Sequence, residues 1–272
     1  MTVVRMCKAA DVSRAGFYRH RNAPETEDCD MDLRNEIQKI ALEMPAYGRR
    51  RITAELQRRS WEVNHKRVHR IMREDNLLCL RRRKFVVTTD SNHSNPIYPN
   101  VAASVQLTAL NQLWVADITY IRLETEFVYL AVILDAFSRR VVGWALDRTL
   151  EAGLVITALR QALKERQPAA GLVHHSDRGV QYACGAYTEL LKQHGITISM
   201  SRKGNPYDNA ACESFMKTLK YEDVYRQEYR GAAEARASIE HFIEEVYNPK
   251  RLHSALGYVP PVEFEETLAA AS

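Results

Sequence analysis

The chain has 272 residues, 46% hydrophobic and 26% charged, which is enough for a sizeable core and for more than one domain. No apolar run approaches the roughly 20 residues of a membrane span, and the opening MTVVRMCKAADVSRAG lacks the continuous apolar stretch of a signal peptide, so no membrane partner and a cytoplasmic location are expected. The net charge of +4 hides a polarity: Arg49 to Lys84 holds 13 Lys and Arg against 4 acids, a net +9, and the rest of the chain sums to −5. A basic block on a mildly acidic remainder is the footprint of a nucleic-acid contact.

In chain order, residues 1–29 form a short N-terminal helical segment, with two pieces around a turn at Asp11 to Ser13. Residues 30–84 read as a basic helical domain. Leu33, Ile37, Ile40, Ala41 and Met44 have the spacing of an amphipathic helix that Pro45 ends. Ile52 and Leu56 mark a second stripe, and Val68, Ile71 and Met72 a third, with Asn64 placed to cap the last helix. On that helix Lys66, Arg67, Arg70 and Arg73 lie off the apolar stripe and are candidates to face phosphates. His65 and His69 stand one turn apart, but no acidic or cysteine ligand accompanies them in sequence, so a basic face is favoured over zinc. The five cysteines (Cys7, Cys29, Cys79, Cys184 and Cys212) include no C-x-x-C pair and are expected to be free thiols.

Residues 85–110 are rich in Asn, Ser and Pro without a sustained period and read as a linker. From Asn111 the texture changes. QLWVADITYIRL, FVYLAVILDAF and RRVVGWALDR are three strands in meander order. LEAGLVITALRQALKER is then a helix, GLVHH a strand, GAYTELLKQHG a helix, ITISMS a strand and DNAACESFMKTLKYEDVY a helix. A hairpin meander leading into alternating units predicts an α/β fold, a mixed five-stranded sheet with helices packed on it, over residues 111–225. Residues 226–272 form a C-terminal helical extension.

Three acids carry the chemistry. Asp117 sits inside the first strand, where a half-buried carboxylate is unfavourable and needs a partner. Asp177 ends the fourth strand, in the crevice where α/β sheets place ligands, and Gly179 beside it permits a tight turn or a positive φ. Glu213 shares a polar helical arc with Lys217 and Lys220, with Asn209 beside them, opposite Ala211, Cys212, Phe215 and Leu219. Singly, each has an ordinary explanation: a paired strand acid, a turn former, an i, i+4 surface pair. Together, two acids on strands and one on an adjoining helix suit a hard divalent cation that leaves positions for phosphate and water. His174 and His175 precede Asp177; packing or a supporting hydrogen bond is favoured over ligation, because magnesium prefers oxygen.

The spacing of 59 residues between the aspartates and 35 between Asp177 and Glu213 resembles the catalytic core of retroviral integrases and bacterial insertion-sequence transposases. WVADITYI, Asp135 to Arg139 with VVGW, HHSDRGVQY, SRKGNPYDNAACESFMKTLK and YNPKRLHSALGYVPPVEF resemble the downstream-frame product of transposases encoded in two overlapping reading frames. YGRRRITAELQRRSWEVNHKRVHRIM resembles the DNA-binding segment of that family. The resemblance implies a ribonuclease H-like core behind a small all-α helix-turn-helix-like DNA-binding domain. It implies an enzyme that cleaves and joins strands at the ends of its element, using Mg or Mn, two ions per site, held by Asp117, Asp177 and Glu213. It implies phosphate contacts from Lys220 and Lys217, DNA contacts from Lys66, Arg67, Arg70 and Arg73, and supporting roles for Arg178, Gly179, Asn205 and Asp208. Its implied partners are the insertion-sequence ends, target DNA, further copies of the chain and an upstream-frame protein, in a bacterial cytoplasm at the nucleoid.

Three rival readings exist. A tyrosine recombinase would use the H-x-x-R of His175 and Arg178, but that pattern lies on a strand-turn rather than in a helical context. A catalytically silent DNA-binding regulator would not need the intact acids, and a plain nuclease would nick without joining.

Overall fold

The computed structural model describes residues 3–9, 12–21, 30–77, 96–202 and 209–271, and the chain divides into two units, Met1–Cys79 and Leu80–Ser272. In the first, the two short pieces near the N-terminus are α1 (Val3–Ala9) and α2 (Arg14–Arg21). Three longer helices follow: α3 (Met31–Glu43), α4 (Arg49–Arg58) and α5 (His65–Glu74). The apolar spacings close them on one another. Leu33, Ile37 and Ile40, Ile52 and Leu56, and Val68, Ile71 and Met72 are all buried, each contributing about 1.5–3 kcal/mol of transfer free energy. Asn64 caps α5, its Oδ1 accepting from the N–H groups of Lys66 and Arg67 at 3.0 Å, a contact worth about 1 kcal/mol.

The second unit is built on a sheet of order β3-β2-β1-β4-β5. β1 (Leu113–Arg122), β2 (Phe127–Asp135) and β3 (Val141–Asp147) form the antiparallel meander. β4 (Val173–Ser176) and β5 (Thr197–Met200) then add in parallel, each reached through helices, as parallel pairing requires. The crossover helices are α6 (Ala152–Arg166), α7 (Val180–Ala183) and α8 (Gly185–Gln193); α9 (Ala210–Glu222) follows β5. Two apolar layers result. Trp114, Ala131 and Ile133 pack with Leu154, Ala158 and Leu159 of α6 and Tyr187 and Leu191 of α8, while Val115, Val128 and Val132 pack with Cys212, Phe215 and Leu219 of α9. Gly143 explains its own place: a Cβ there would lie 2.3 Å from the Ala158 carbonyl oxygen, so glycine lets α6 press onto β3.

The C-terminal region adds α10 (Ala232–His241), a π-helical turn (Phe242–Tyr247) and α11 (Pro261–Ala271). Ile239, Phe242, Ile243 and Tyr247 join the α9 layer, and Asn248 bonds both backbone groups of Val141, at 3.0 and 3.1 Å. Arg251 grips Glu222 through two bonds, at 2.8 and 2.6 Å. Residues 85–95 of the expected linker lie outside the described residues. From Pro99 the segment is tied to β5: the Val101 and Ala102 N–H groups donate to Ser199 Oγ at 3.1 Å, and Val105 and Leu107 pack on the core. Cys7, Cys184 and Cys212 are free thiols, while Cys29 and Cys79 lie outside the described residues.

Candidate active site

β1 outruns its neighbour. β4 pairs with it only at Leu113 to Val115, and Asp117 stands partly exposed just past that step. Its carboxylate accepts the Ile118 N–H at 2.9 Å. Asp177 follows the last residue of β4, at the carboxyl end of the parallel pair, and its Oδ1 accepts the Gly179 N–H at 2.9 Å. Gly179 has φ −62°, so of the two roles expected of it the positive φ is not used. Close approach is. A Cβ on Gly179 would sit 2.9 Å from Asp177 Oδ1, and glycine lets the backbone reach under the carboxylate.

Glu213 lies in the first turn of α9, whose Cys212, Phe215, Met216 and Leu219 are buried as the helical arc requires. Lys217 Nζ stands 3.5 Å from Glu213. Asn209, at the start of the helix, donates Nδ2–H to the Ala116 carbonyl at 2.9 Å, which fastens the helix bearing Glu213 to the residue before Asp117. Asn209 Oδ1 is buried with no hydrogen-bond partner among the described residues. Lys220 is half-buried, its ammonium 4.7 Å from the centre of the Tyr120 ring; desolvation lowers its pKa and Asp117 opposes that shift.

The three acids share one field. Burial pushes the Asp117 carboxyl up to about 7, and the charges of Asp177 and Glu213 push the same way, against the Ile118 N–H and Lys220. Among the described residues no three His, Cys, Asp or Glu groups close around a single point, and Glu213 is engaged by Lys217. Asp135, the other acid of the meander, stands apart: its carboxylate accepts the N–H groups of Asn111, Phe137 and Ser138 and shapes the β2–β3 turn.

Both histidines before Asp177 are structural. His174 bonds the Tyr187 hydroxyl at 2.9 Å, and burial lowers its pKa to about 3, so the ring is neutral. His175 bonds Ser199 Oγ at 2.8 Å and Ser201 Oγ at 2.9 Å. Arg178 donates Nε–H to the Ser201 carbonyl at 2.7 Å, so the turn after Asp177 is fastened to the end of β5. Ser199 and Ser201 gave no signal in sequence beyond lying in the ITISMS strand. Tyr182, also unremarked, buries a hydroxyl with no partner among the described residues, its ionisation opposed by burial, Tyr187, Asp117 and Asp177.

Of the expected phosphate-facing residues, Arg67 and Arg70 both clasp the Asp30 carboxylate, and Arg70 also pairs with Glu74 at 3.0 Å. Lys66 and Arg73 are exposed without an acid partner among the described residues. His65 and His69 join no metal-binding group among the described residues. Asn205 and Asp208 lie outside the described residues.

A meander extended by two parallel strands, with acids on β1, after β4 and on the flanking helix, is the architecture of the integrase-type polynucleotidyl transferases. Residues 108–206 and 194–261 match Integrase core domain families, and residues 28–85 match an HTH-like domain. The chain is 39% identical to the insertion element IS600 31 kDa protein of Shigella sonnei, covering 96% of this chain and 97% of that one. It is 33% identical to the transposase InsF for insertion sequence IS3A of Escherichia coli (strain K12), covering 97% and 94%. A BIV integrase catalytic core domain aligns at 21% identity and TM-score 0.43, covering 59% of this chain and 97% of that one. The chain belongs to the insertion-sequence transposases of the IS3 type, enzymes with an integrase-like core.

Proposed function

We propose that Asp117, Asp177 and Glu213 are the catalytic carboxylates of a transposase that cleaves insertion-sequence ends and transfers the freed strands. The observation that carries this reading is the position of three acids on β1, after the end of β4 and in the first turn of α9, where burial and then the charges of Asp177 and Glu213 push the Asp117 carboxyl up to about 7. Repelling carboxylates held together cost stability, and a cation would relieve the cost. The donor set is all oxygen, which suits Mg or Mn. Two such ions would supply activation of the attacking oxygen and stabilisation of the leaving one.

The chain's own groups frame two displacements. In the first, water attacks phosphorus and gives up a proton, the P–O3′ bond breaks, and the leaving O3′ takes up a proton to become the free 3′ hydroxyl, with the phosphate left on the flanking strand. In the second, that hydroxyl attacks a target phosphodiester and the target's own 3′ oxygen leaves, with no covalent protein intermediate. Lys220, with Lys217 as companion, holds phosphate beside the acids. Asn209 sets the start of the Glu213 helix against β1, and Gly179 and Arg178 hold the Asp177 turn. The family resemblance gives Asn205 and Asp208 supporting roles. Lys66 and Arg73 lead the DNA contact of the helical unit; Arg67 and Arg70 join it from their places on Asp30. Joining two ends calls for more than one copy, and an upstream-frame protein of the same element completes end recognition. The bacterial cytoplasm, at the nucleoid, supplies the DNA.

The test is incubation of the purified chain with labelled terminal DNA of its element and Mg or Mn, comparing wild type with Glu213→Gln on a denaturing gel. Metal-dependent cleavage and joining that the substitution abolishes, with DNA binding retained, is the expected result. Binding without cleavage, also after adding the upstream-frame protein, would favour a silent regulator.

A further inference from the structure

Lys220 links the acid cluster to a group of aromatic rings that the proposed chemistry leaves unused. The Tyr120 ring under its ammonium meets Phe127 edge to face, with centroids 5.7 Å apart. Tyr225 meets Tyr221 in the same way at 5.5 Å, and Tyr221 follows on α9 directly after Lys220, whose ammonium lies over the Tyr120 ring. Tyr120 is therefore the hub. The outer rings face water: Phe127 is 49% exposed and Tyr225 58%. Arg122, the strand partner of Phe127, and Arg226, which donates Nε–H to the Tyr221 carbonyl at 3.2 Å, are exposed beside them.

Exposed rings gathered in one place cost free energy unless something covers them. The cations decide what. An ammonium seated on the hub ring and two guanidinium groups alongside suit a partner that is flat on its faces and anionic along its length. A nucleotide strand has both properties, and aromatic side chains stack on every base because every base has a π face. A fully paired duplex hides those faces, so the ligand class is unpaired nucleotides. We propose that Tyr225 and Phe127, carried on Tyr221 and Tyr120, form a stacking shelf for unpaired bases of the DNA strand whose phosphates lie at Lys220 and the acids. This rests on the proposed function, since that reading brings a strand to Lys220.

The experiment measures equilibrium binding in chelator, so no chemistry is required. Two duplexes of the element's end are compared, one fully paired and one with its last base pairs mismatched, each carrying 2-aminopurine at the terminal positions. Wild type is expected to prefer the mismatched end and to alter 2-aminopurine fluorescence on binding. Tyr225→Ala and Phe127→Ala, both at exposed positions, should each weaken binding of the mismatched end about tenfold while leaving the paired duplex within about twofold, and Tyr225→Trp should restore the preference. Equal losses on both duplexes, or no loss on either, would overturn the shelf. So would variants that turn an oligomer into monomers in sedimentation yet keep the mismatch preference, because the rings would then be covered by a second copy. A wild type that binds neither duplex, also with the upstream-frame protein added, would sink the proposed cleavage and joining of the element's ends, a separate outcome.

Discussion

The helical unit and the acid cluster of the sheet unit use the same charged residue types in opposite ways, although elsewhere in the sheet unit Arg140, Arg166 and Arg251 pair with acids as well. In the helical unit the acids are answered. Asp30 holds Arg67 and Arg70, Arg34 reaches Glu74 and Asp75, and Arg59 collects Glu36, Glu43 and Glu55 at 2.7–3.0 Å. Hydrogen bonds from those arginines hold the Asp30, Glu36 and Glu74 carboxyls below their ordinary range. In the sheet unit Asp117 is desolvated and faces two further acids, and its carboxyl is pushed up. The first arrangement holds a fold together; the second works against the fold and is tolerated because dense packing elsewhere in the same unit outweighs it. A charge answered by its opposite argues for structure, and like charges gathered together argue for a site.

The largest effect that sharpens this contrast comes from Asp117→Asn. Cleavage of terminal DNA should fall by about 10³-fold or more, because the groups of such a site act as a unit. Stability should move the other way. The folded-state pKa of about 7 lies above the ordinary 3.8, so between those values the folded protein binds more protons than the unfolded chain, and wild-type stability falls as pH rises. Asparagine has no proton to lose. Melting in chelator should therefore show the variant gaining on wild type from pH 4 to pH 8; a gap that is flat or narrows would show that Asp117 carries no such strain. The arginine-paired acids have the opposite sign, with stability present above their ordinary pKa and lost as pH falls through the lowered values.

Next in size is Gly179→Ala. The added methyl must displace the Asp177 carboxylate, which it would meet at 2.9 Å, and misplacement of a reacting group by about 1 Å costs on the order of 10²-fold in rate. Cleavage should fall by about that factor with DNA binding and melting temperature nearly unchanged. Unchanged cleavage would mean that the Gly179 bond to Asp177 does not set the carboxylate's place.

Gly143→Ala tests the other half of the contrast, that packing carries the sheet unit. Its Cβ would meet backbone, the Ala158 oxygen at 2.3 Å, with Ala162 Cβ at 2.8 Å, so α6 must shift as a body. A loss of about 1–3 kcal/mol in denaturant unfolding is expected. No loss would mean that the α6–β3 contact is loose.

Local periodicity made much of this legible. Apolar runs set off by short polar turns marked the meander strands, helical spacing marked the buried stripes of α3 to α5, and Asn64 announced its cap. The acids were conspicuous because Asp117 breaks an apolar strand and Asp177 ends one. Contacts between distant residues were not legible. Asn209 reaches Ala116 across 93 residues, and His175 meets Ser199 and Ser201 only because β4 and β5 pair in parallel. Arg67 and Arg70 looked like bare phosphate contacts because Asp30 lies 37 and 40 residues away in sequence. Helical periodicity identifies the face of a side chain but not the partner it meets there.

The smallest effect probes that last pair. Arg67 and Arg70 are 41% and 54% exposed at their side chains, so solvent screens their attraction to Asp30. Asp30→Asn should cost the helical unit no more than about 1 kcal/mol, and less as salt rises. The same change removes the Asp30 clasp from two guanidinium groups beside Lys66 and Arg73, Arg70 keeping its bond to Glu74. If Asp30 restrains them, duplex DNA binding should tighten and its salt dependence steepen, by about one unit of slope for each further phosphate neutralised. If stability falls while affinity and slope stay fixed, Arg67 and Arg70 belong to the clasp on α3, and the DNA-facing set of α5 reduces to Lys66 and Arg73.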